Sequence, residues 1–268
     1  MKVVILCGGM GTRIRDVSEL LPKPMVEIGG RPILWHVMKI YAHYGYKDFI
    51  LCLGYKGEII KDYFLNYETR NTDCTIELGS NNGLRIHGNH SEQDWRITLA
   101  NTGLETMTGG RLGRVRNYLA DEEEFMLTYA DGVADINIDD LVAFHRSQGR
   151  MVTITAVHPS ARFGEMRIDG SDVRSFHEKP QTKTDYINGG FMVARREFLD
   201  LYINDDPDLI LEQAPLRQVS QDGEMAAFRH EGFWQCMDTA RERMMLEKML
   251  AQGIAPWVVW NQRVYQHA

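Results

Sequence analysis

Nowhere in the 268-residue sequence does an uncharged apolar stretch approach the roughly 20 residues that a membrane span needs. The first apolar run, Val3-Val4-Ile5-Leu6-Cys7, stops at Gly8-Gly9 and is too short for the core of a secretory signal. These two absences make the cytoplasm the expected compartment, with no membrane partner. Positive charge is also scarce: 30 Lys and Arg against 37 Asp and Glu leave a net charge of −7. No Lys/Arg run could follow a phosphodiester backbone, so nucleic acid is not expected as a partner. There are four cysteines, Cys7, Cys52, Cys74 and Cys236, with no C-x-x-C pair; buried reduced thiols are the expectation. The nine histidines show no metal spacing, and His36, His145, His177 and His230 read as helix-face or surface residues. Repeats and a Pro/Ser-rich linker are absent too, which points to one domain spanning 1–268.

The first half alternates short apolar runs with amphipathic segments, the pattern of βαβ units in a parallel sheet covered by helices. Strands are expected at Val3–Cys7, Phe49–Leu53, Phe125–Tyr129, Val152–Val157 and Phe191–Ala194. Helical stripes recur at Ile33, Leu34, Val37, Met38 and Tyr41, at Ile59, Ile60, Tyr63, Phe64 and Tyr67, and at Leu112, Val115 and Leu119. The fold class is therefore α/β, a mostly parallel Rossmann-like sheet flanked by helices. Between about 68 and 102 the chain turns polar, and Thr75–Leu78, Leu84–Gly88 and Arg96–Leu99 read as an antiparallel insertion serving oligomer contacts or a lid. A hairpin is expected around Asp169-Gly170. Thr239-Ala240-Arg241-Glu242 is a capping box opening a helix to Gln252, with Gly253 as its stop and a tail to 268. Trp257 and Trp260 in that tail lie outside the periodic core and suit a subunit interface.

The glycine-rich segment Leu6-Cys7-Gly8-Gly9-Met10-Gly11-Thr12-Arg13 follows the first strand, where an open α/β sheet binds its ligand beyond the carboxyl strand ends. Such a turn brings backbone N–H groups to phosphate oxygens, and Arg13 adds a planar fork. It is neither of the two common glycine motifs: Ile14 stands where a dinucleotide fingerprint needs its third glycine, and Gly11-Thr12-Arg13 is not Gly-Lys-Ser/Thr. Leu21-Pro22-Lys23-Pro24-Met25 then holds one lysine in a stiff, extended segment. Asp131 ends an apolar strand and projects into the same crevice; a carboxylate there suits Mg²⁺, which takes few protein oxygens. Asp238 is the expected second metal ligand, although an acid beside Thr239 can also serve the helix N-terminus. Asp135 reads as a cap or turn residue.

Together these segments resemble the sugar-1-phosphate nucleotidyltransferases, whose signature is a strand followed by G-G-x-G-T-R and then P-K-P-M. The likeness continues through Val26–His36, Gly54-Tyr55-Lys56-Gly57, Met107–Arg111, Asp131–Asp135, Arg162-Phe163-Gly164, Glu178-Lys179-Pro180, Ile187–Phe191 and Gly232–Thr239, nearly the whole chain in order. It is weakest in the insertion and after Trp257.

The resemblance implies attack by a sugar-1-phosphate oxygen on the α-phosphorus of a nucleoside triphosphate, with pyrophosphate leaving in line, and Mg²⁺ as cofactor on Asp131 and Asp238. The implied substrates are CTP and α-D-glucose 1-phosphate, giving CDP-glucose; UTP, dTTP or another phosphorylated substrate is the alternative within the chemistry, and a non-catalytic regulatory subunit the alternative outside it. Arg13 and Lys23 are the implied catalytic residues. The nucleotide is implied to contact Leu6, Cys7, Gly8, Gly9, Met10, Gly11, Thr12, Arg13, Lys23, Thr106, Gly110, Arg111 and Ala130. The sugar phosphate falls to Glu178, Lys179, Asn188 and Gly189. Cytosine offers an N4 donor and an N3 acceptor, so the first loop's carbonyls are expected to accept from N4 and Arg111 to donate to O2 or N3; Arg111 could instead simply start the helix carrying Leu112. A closed homo-oligomer, as large as a hexamer, is also implied.

Overall fold

The structure, a computed structural model, describes residues 1–9, 20–79, 83–159, 165–169, 172–177 and 186–264. In chain order the first half contains β1 (Val3–Leu6), β2 (Glu27–Ile28), β3 (Arg31–Pro32), α1 (Ile33–His43), β4 (Asp48–Leu53), α2 (Gly57–Leu65), α3 (Tyr67–Asn71), β5 (Asp73–Ile76), β6 (Leu84–His87) and β7 (Arg96–Asn101). The next stretch has α4 (Thr108–Arg114), β8 (Glu124–Tyr129), β9 (Gly132–Ala134), α5 (Ile138–Gln148), β10 (Val152–Val157), β11 (Glu165–Asp169) and β12 (Asp172–His177). The last part has β13 (Ile187–Arg195), α6 (Glu197–Tyr202), α7 (Ala214–Gln221), β14 (Met225–His230), β15 (Trp234–Cys236) and α8 (Ala240–Ala251).

Seven of these strands form one sheet in the order β14-β10-β13-β8-β1-β4-β7. All neighbours pair in parallel except at β13, which runs antiparallel to both β8 and β10. The strands read as continuous apolar runs because both faces are covered: Val3 and Ile5 of β1 join one core, Val4 and Leu6 the other. β1 lies in the sheet's interior with β4 and β8 on either side, so its carboxyl end opens beside the ends of both neighbours. That places the first glycine loop, Asp131 and the β4 exit at one edge of the sheet.

Three expectations need correction. Arg96–Leu99 is not part of an antiparallel insertion: it lies in β7, which pairs in parallel with β4 as the sheet's edge strand. Its polar alternation reflects half-burial at an edge, which a local pattern cannot distinguish from a hairpin. The antiparallel element proper is the β5–β6 hairpin. Cys74 within it is exposed, whereas Cys7 and Cys52 are buried and Cys236 is intermediate; all four are free thiols. Thirdly, Trp257 is fully buried. Nine of the eleven residues of α1 are buried, more than the sheet alone can cover, and the tail folds back over the remaining face. Trp257 stacks on Phe233 and donates its indole N–H to His36 Nδ1 at 3.4 Å, while Trp260 packs edge-on against Trp35. Trp257 completes the chain's own core, a burial worth about 2–3 kcal/mol for a large side chain, while Trp260 packs half-buried against it.

The capping box forms as the sequence predicts, with Thr239 Oγ1 accepting from Glu242 N and the Glu242 carboxylate accepting from Thr239 N. The β11–β12 hairpin is likewise present, though its turn lies outside the described residues.

Candidate active site

Two short strands assemble the centre of the site. β9 follows Asp131, β15 precedes Met237 and Asp238, and the two strands pair antiparallel with Gly132 opposite Cys236. Met237 N donates to Asp131 O at 2.8 Å, so two acids 107 positions apart in sequence become neighbours at one strand end. Asp238 is fixed further by α8, whose Glu242 carboxylate accepts from the Asp238 backbone N–H at 2.7 Å.

Between the two carboxylates stands Lys23. Pro22, in extended conformation, and the following turn over Lys23–Met25 direct the side chain inward. Its ammonium lies 2.5 Å from Asp131 Oδ2 and 2.5 Å from Asp238 Oδ1. Burial would depress the Lys23 pKa, but the charge and hydrogen bond of Asp131, joined by those of Asp238, outweigh it and hold the group above its ordinary value. Lys23 is therefore charged at any physiological pH. Two carboxylates against one ammonium leave one negative charge in excess.

A cavity of about 400 Å³ opens over this cluster, lined by Leu6, Cys7, Gly8, Gly9, Lys23, Pro24, Thr106, Met107, Thr108, Arg111, Tyr129, Ala130, Asp131 and Asp238. The structure thus brings together most of the expected nucleotide and metal residues. Gly110 is not among the lining residues: its N–H donates to Leu209 O, and a Cβ there would press on the carbonyls of Asp206 and Pro207. Gly109 and Gly113 meet Leu209 and Asn204 in the same way, so the glycines of this helix allow close packing against the loop over 204–209. Met10, Gly11, Thr12, Arg13, Glu178 and Lys179 lie outside the described residues.

Arg111 is only 4% exposed and reaches five protein oxygens. Nη1 approaches Leu53 O at 3.2 Å, Thr102 Oγ1 at 2.8 Å and Gly103 O at 2.7 Å; Nη2 donates to Gly8 O at 3.0 Å and Leu104 O at 3.1 Å. Gly8 and Gly54 are side-chain-free where the guanidinium lies, and a Cβ at either would collide with it. Gly8 O also accepts from Tyr55 N at 3.2 Å, so both its lone pairs are engaged. Arg111 therefore ties the first loop, the β4 exit and the segment after β7 into one rigid wall.

Asn188 and Gly189 open β13 at the far side of Tyr129. Gly189 O accepts from Trp234 Nε1 at 2.7 Å, and Asn188 Oδ1 accepts from Gly190 N at 2.9 Å. Tyr129 and Glu212 are residues the sequence reading did not single out. Burial, then the charge of Glu212, raises the Tyr129 phenol far above its ordinary value. Tyr129 was findable: it shares strand parity with Asp131. Glu212 carries no sequence signal. Asp135 stands apart, its carboxylate 2.9 Å from the His230 ring.

The nucleotidyl transferase family model matches residues 2–239, and the chain belongs to that family of enzymes. It is 48% identical over 261 residues, 97% of this chain and all of the relative, to the glucose-1-phosphate cytidylyltransferase of Salmonella typhi. A probable glucose-1-phosphate cytidylyltransferase of Bacillus subtilis is 42% identical over the same share of both chains. Among solved structures, HddC from Yersinia pseudotuberculosis complexed with GMP-PN superposes with a TM-score of 0.65 at 21% identity, covering 93% of this chain and 99% of that one. A UDP-glucose pyrophosphorylase complexed with UDP-glucose gives 0.63 at 13%, covering 94% and 98%. These two similarities bear out the fold.

Proposed function

We propose that the protein joins CTP and α-D-glucose 1-phosphate to give CDP-glucose and pyrophosphate. The observation that carries the reading is the convergence of Lys23, Asp131 and Asp238 beneath a cavity at the carboxyl end of β1, in a chain 48% identical to a glucose-1-phosphate cytidylyltransferase along its whole length. A sugar-phosphate oxygen bonds to the α-phosphorus as the bond to the β-phosphate bridging oxygen breaks, so catalysis consists of alignment and charge neutralisation. Lys23, once its ammonium faces phosphate instead of carboxylate, sits between the α-phosphate and the sugar phosphate. Arg13 neutralises the leaving pyrophosphate. Glu178 accepts from sugar hydroxyls, Lys179 pairs with the sugar phosphate, and Asn188 with Gly189 completes the pocket.

Enzymes of this family generally use a divalent metal. The donor set fits a hard ion: the two carboxylate oxygens contact one nitrogen and so are no more than about 5 Å apart, and the pair carries excess negative charge. Two carboxylates would leave the rest of a Mg²⁺ shell to phosphate oxygens and water; among the described residues no group of three or more His, Cys, Asp or Glu side chains is placed to hold a metal ion. Asp131 and Asp238 would hold the ion, which would supply neutralisation of phosphate charge.

Gly8 O is engaged by Arg111 and Tyr55, so other carbonyls of the first loop are the acceptors for cytosine N4. The protein acts in the cytoplasm; no described helix is long and apolar enough to cross a membrane. As a homo-oligomer it uses the β5–β6 hairpin, whose cross-strand pairs Cys74–Ile86 and Ile76–Leu84 form one apolar face opposite Asp73, Thr75, Arg85 and His87. Ile76 and Leu84 are 61% and 53% exposed, a cost that a second copy of the chain removes. Pyrophosphate release measured over four nucleoside triphosphates and several sugar 1-phosphates tests the assignment: CTP with glucose 1-phosphate must give the highest kcat/KM.

A further inference from the structure

The rim of the cavity carries a chain of hydrogen bonds not used above. Glu212 Oε1 accepts from the Tyr129 hydroxyl at 2.5 Å, and Glu212 Oε2 accepts from Thr108 Oγ1 at 2.7 Å. Thr108 Oγ1 in turn accepts from Leu211 N at 2.9 Å, which fixes the direction of its own proton toward Glu212. Tyr129 and Thr108 both line the cavity, one below the β13 side and one on the segment that leads to Arg111. Glu212 thus spans two walls whose residues are 21 positions apart.

Direction propagates along this chain. A phenol has one proton, and Glu212 takes it, so toward every other neighbour Tyr129 Oη is an acceptor. A second neighbour is the Asn188 carboxamide, brought there by Gly190, whose backbone binds Asn188 Oδ1 and packs against the Tyr129 ring. Asn188 Oδ1 already accepts from Gly190 N, which leaves the amide N–H₂ to face Tyr129. One amide hydrogen turned to Tyr129 leaves the second for a ligand oxygen. The arrangement is built into the backbone: Gly190 has φ of 84°, and a Cβ there would meet the Tyr129 ring at 2.7 Å.

We propose that Glu212 is a positioning residue of the sugar-phosphate pocket: acting through Tyr129, it holds the Asn188 carboxamide as a hydrogen-bond donor to one sugar oxygen, and through Thr108 it ties that pocket to the nucleotide wall. This rests on the sugar 1-phosphate reading of the substrate. Without the anion, Tyr129 is free to turn its proton toward Asn188, donor meets donor, and only the bond from Gly190 N is left to hold the carboxamide. The residue acts on the sugar without touching it.

The test is kcat/KM for glucose 1-phosphate and its monodeoxy analogues in wild type, Tyr129→Phe, Glu212→Ala and Glu212→Gln, with melting temperatures for each. Wild type should disfavour one deoxy analogue by roughly 10-fold or more, the worth of one charge-oriented hydrogen bond in a dry site. In Tyr129→Phe and Glu212→Ala that ratio should fall below about threefold at the same hydroxyl, while Glu212→Gln, whose side-chain oxygen can still accept from Tyr129, should retain it. Tyr129→Phe removes one oxygen and keeps the ring, so it carries the test if Glu212→Ala fails to fold. Wild-type ratios for every analogue in Tyr129→Phe would overturn the proposal, as would a uniform loss of activity with unchanged ratios. A wild-type enzyme that does not turn over glucose 1-phosphate would instead overturn the substrate reading.

Discussion

Replacing Arg111 by Ala should damage the architecture of the nucleotide wall before it damages any contact with a base. The guanidinium serves five acceptors on three loops. Two of them keep other partners on truncation: Gly8 O retains Tyr55 N, and Leu53 O retains Thr102 N and the Thr102 hydroxyl. The carbonyls of Gly103 and Leu104 lose a charged donor, at about 1–3 kcal/mol each, and a buried void adds to the cost. A loss of about 3–5 kcal/mol follows, which for a chain of this size lowers Tm by roughly 10 °C. The freed first loop should also lower kcat/KM for CTP by at least about 10-fold and narrow the CTP-to-UTP ratio. Arg111→Lys should recover little, because a single ammonium cannot hold Gly8 and Gly103 at once. Differential scanning fluorimetry and steady-state kinetics with both nucleotides check this. An Arg111→Ala protein melting within about 2 °C of wild type would refute the clamp, and a normal Tm combined with lost CTP preference would show that the guanidinium reads the base itself.

Asp131→Asn should leave the fold intact, since Met237 N binds the main-chain oxygen and not the carboxylate, yet reduce kcat below a tenth of wild type with saturating Mg²⁺; retained turnover would remove Asp131 from the metal site. His36 provides a pH signature. Burial lowers its pKa from 6.5 to about 4, and its ring is held neutral, with Nδ1 accepting from Trp257 and Nε2 against Ile28 O at 2.9 Å. Because the folded pKa lies below the unfolded one, this stability is present above about pH 6.5 and is lost as pH falls toward 4, about 3 kcal/mol in all. Tm should therefore drop between pH 7.5 and 5, and less so in His36→Gln; equal slopes in the two proteins would contradict the assignment. Finally, Ile76→Asp with Leu84→Asp should dissociate the oligomer in light scattering at micromolar concentration without loss of the fold, and a wild-type monomer would exclude the hairpin interface.

The central sheet was largely legible because both of its faces are buried. Val3–Cys7, Phe49–Leu53 and Phe125–Tyr129 read as largely apolar runs between turn residues, burial on two sides produces such runs, and the strands Val3–Leu6, Asp48–Leu53 and Glu124–Tyr129 match them to within a residue at each end. Legibility fails at the edges. β14 carries Met225-Ala226-Ala227-Phe228 with no β-branched residue, and β7 is polar on its open side, so neither announces its place in the sheet. The tail failed for a different reason. Trp257 has no periodic neighbours of its own, and its burial depends on α1 needing a cover, a relation between segments more than 200 residues apart.

The site divides along the same line. A residue whose placement follows from its local chain can be read from sequence: Lys23 between two prolines, Asp131 at a strand end, Asp238 before a capping box. Distance between such residues cannot, and it is the β9–β15 ladder that turns two separate acids into a pair around one ammonium. Arg111 shows how a residue legible beside the cavity can carry a structural part the chain pattern does not reveal. Its position at the start of a helix near the glycine loop was legible, but the glycines at 8 and 54 that make room for its guanidinium lie 103 and 57 positions away, and only the fold shows that they serve the arginine. Gly8 had an apparent reason in phosphate approach, which concealed this second one. A glycine in such a loop therefore has two tests to pass, what ligand it lets in and what side chain it lets under; here the second takes Gly8 O out of the set of loop carbonyls free to face the cavity.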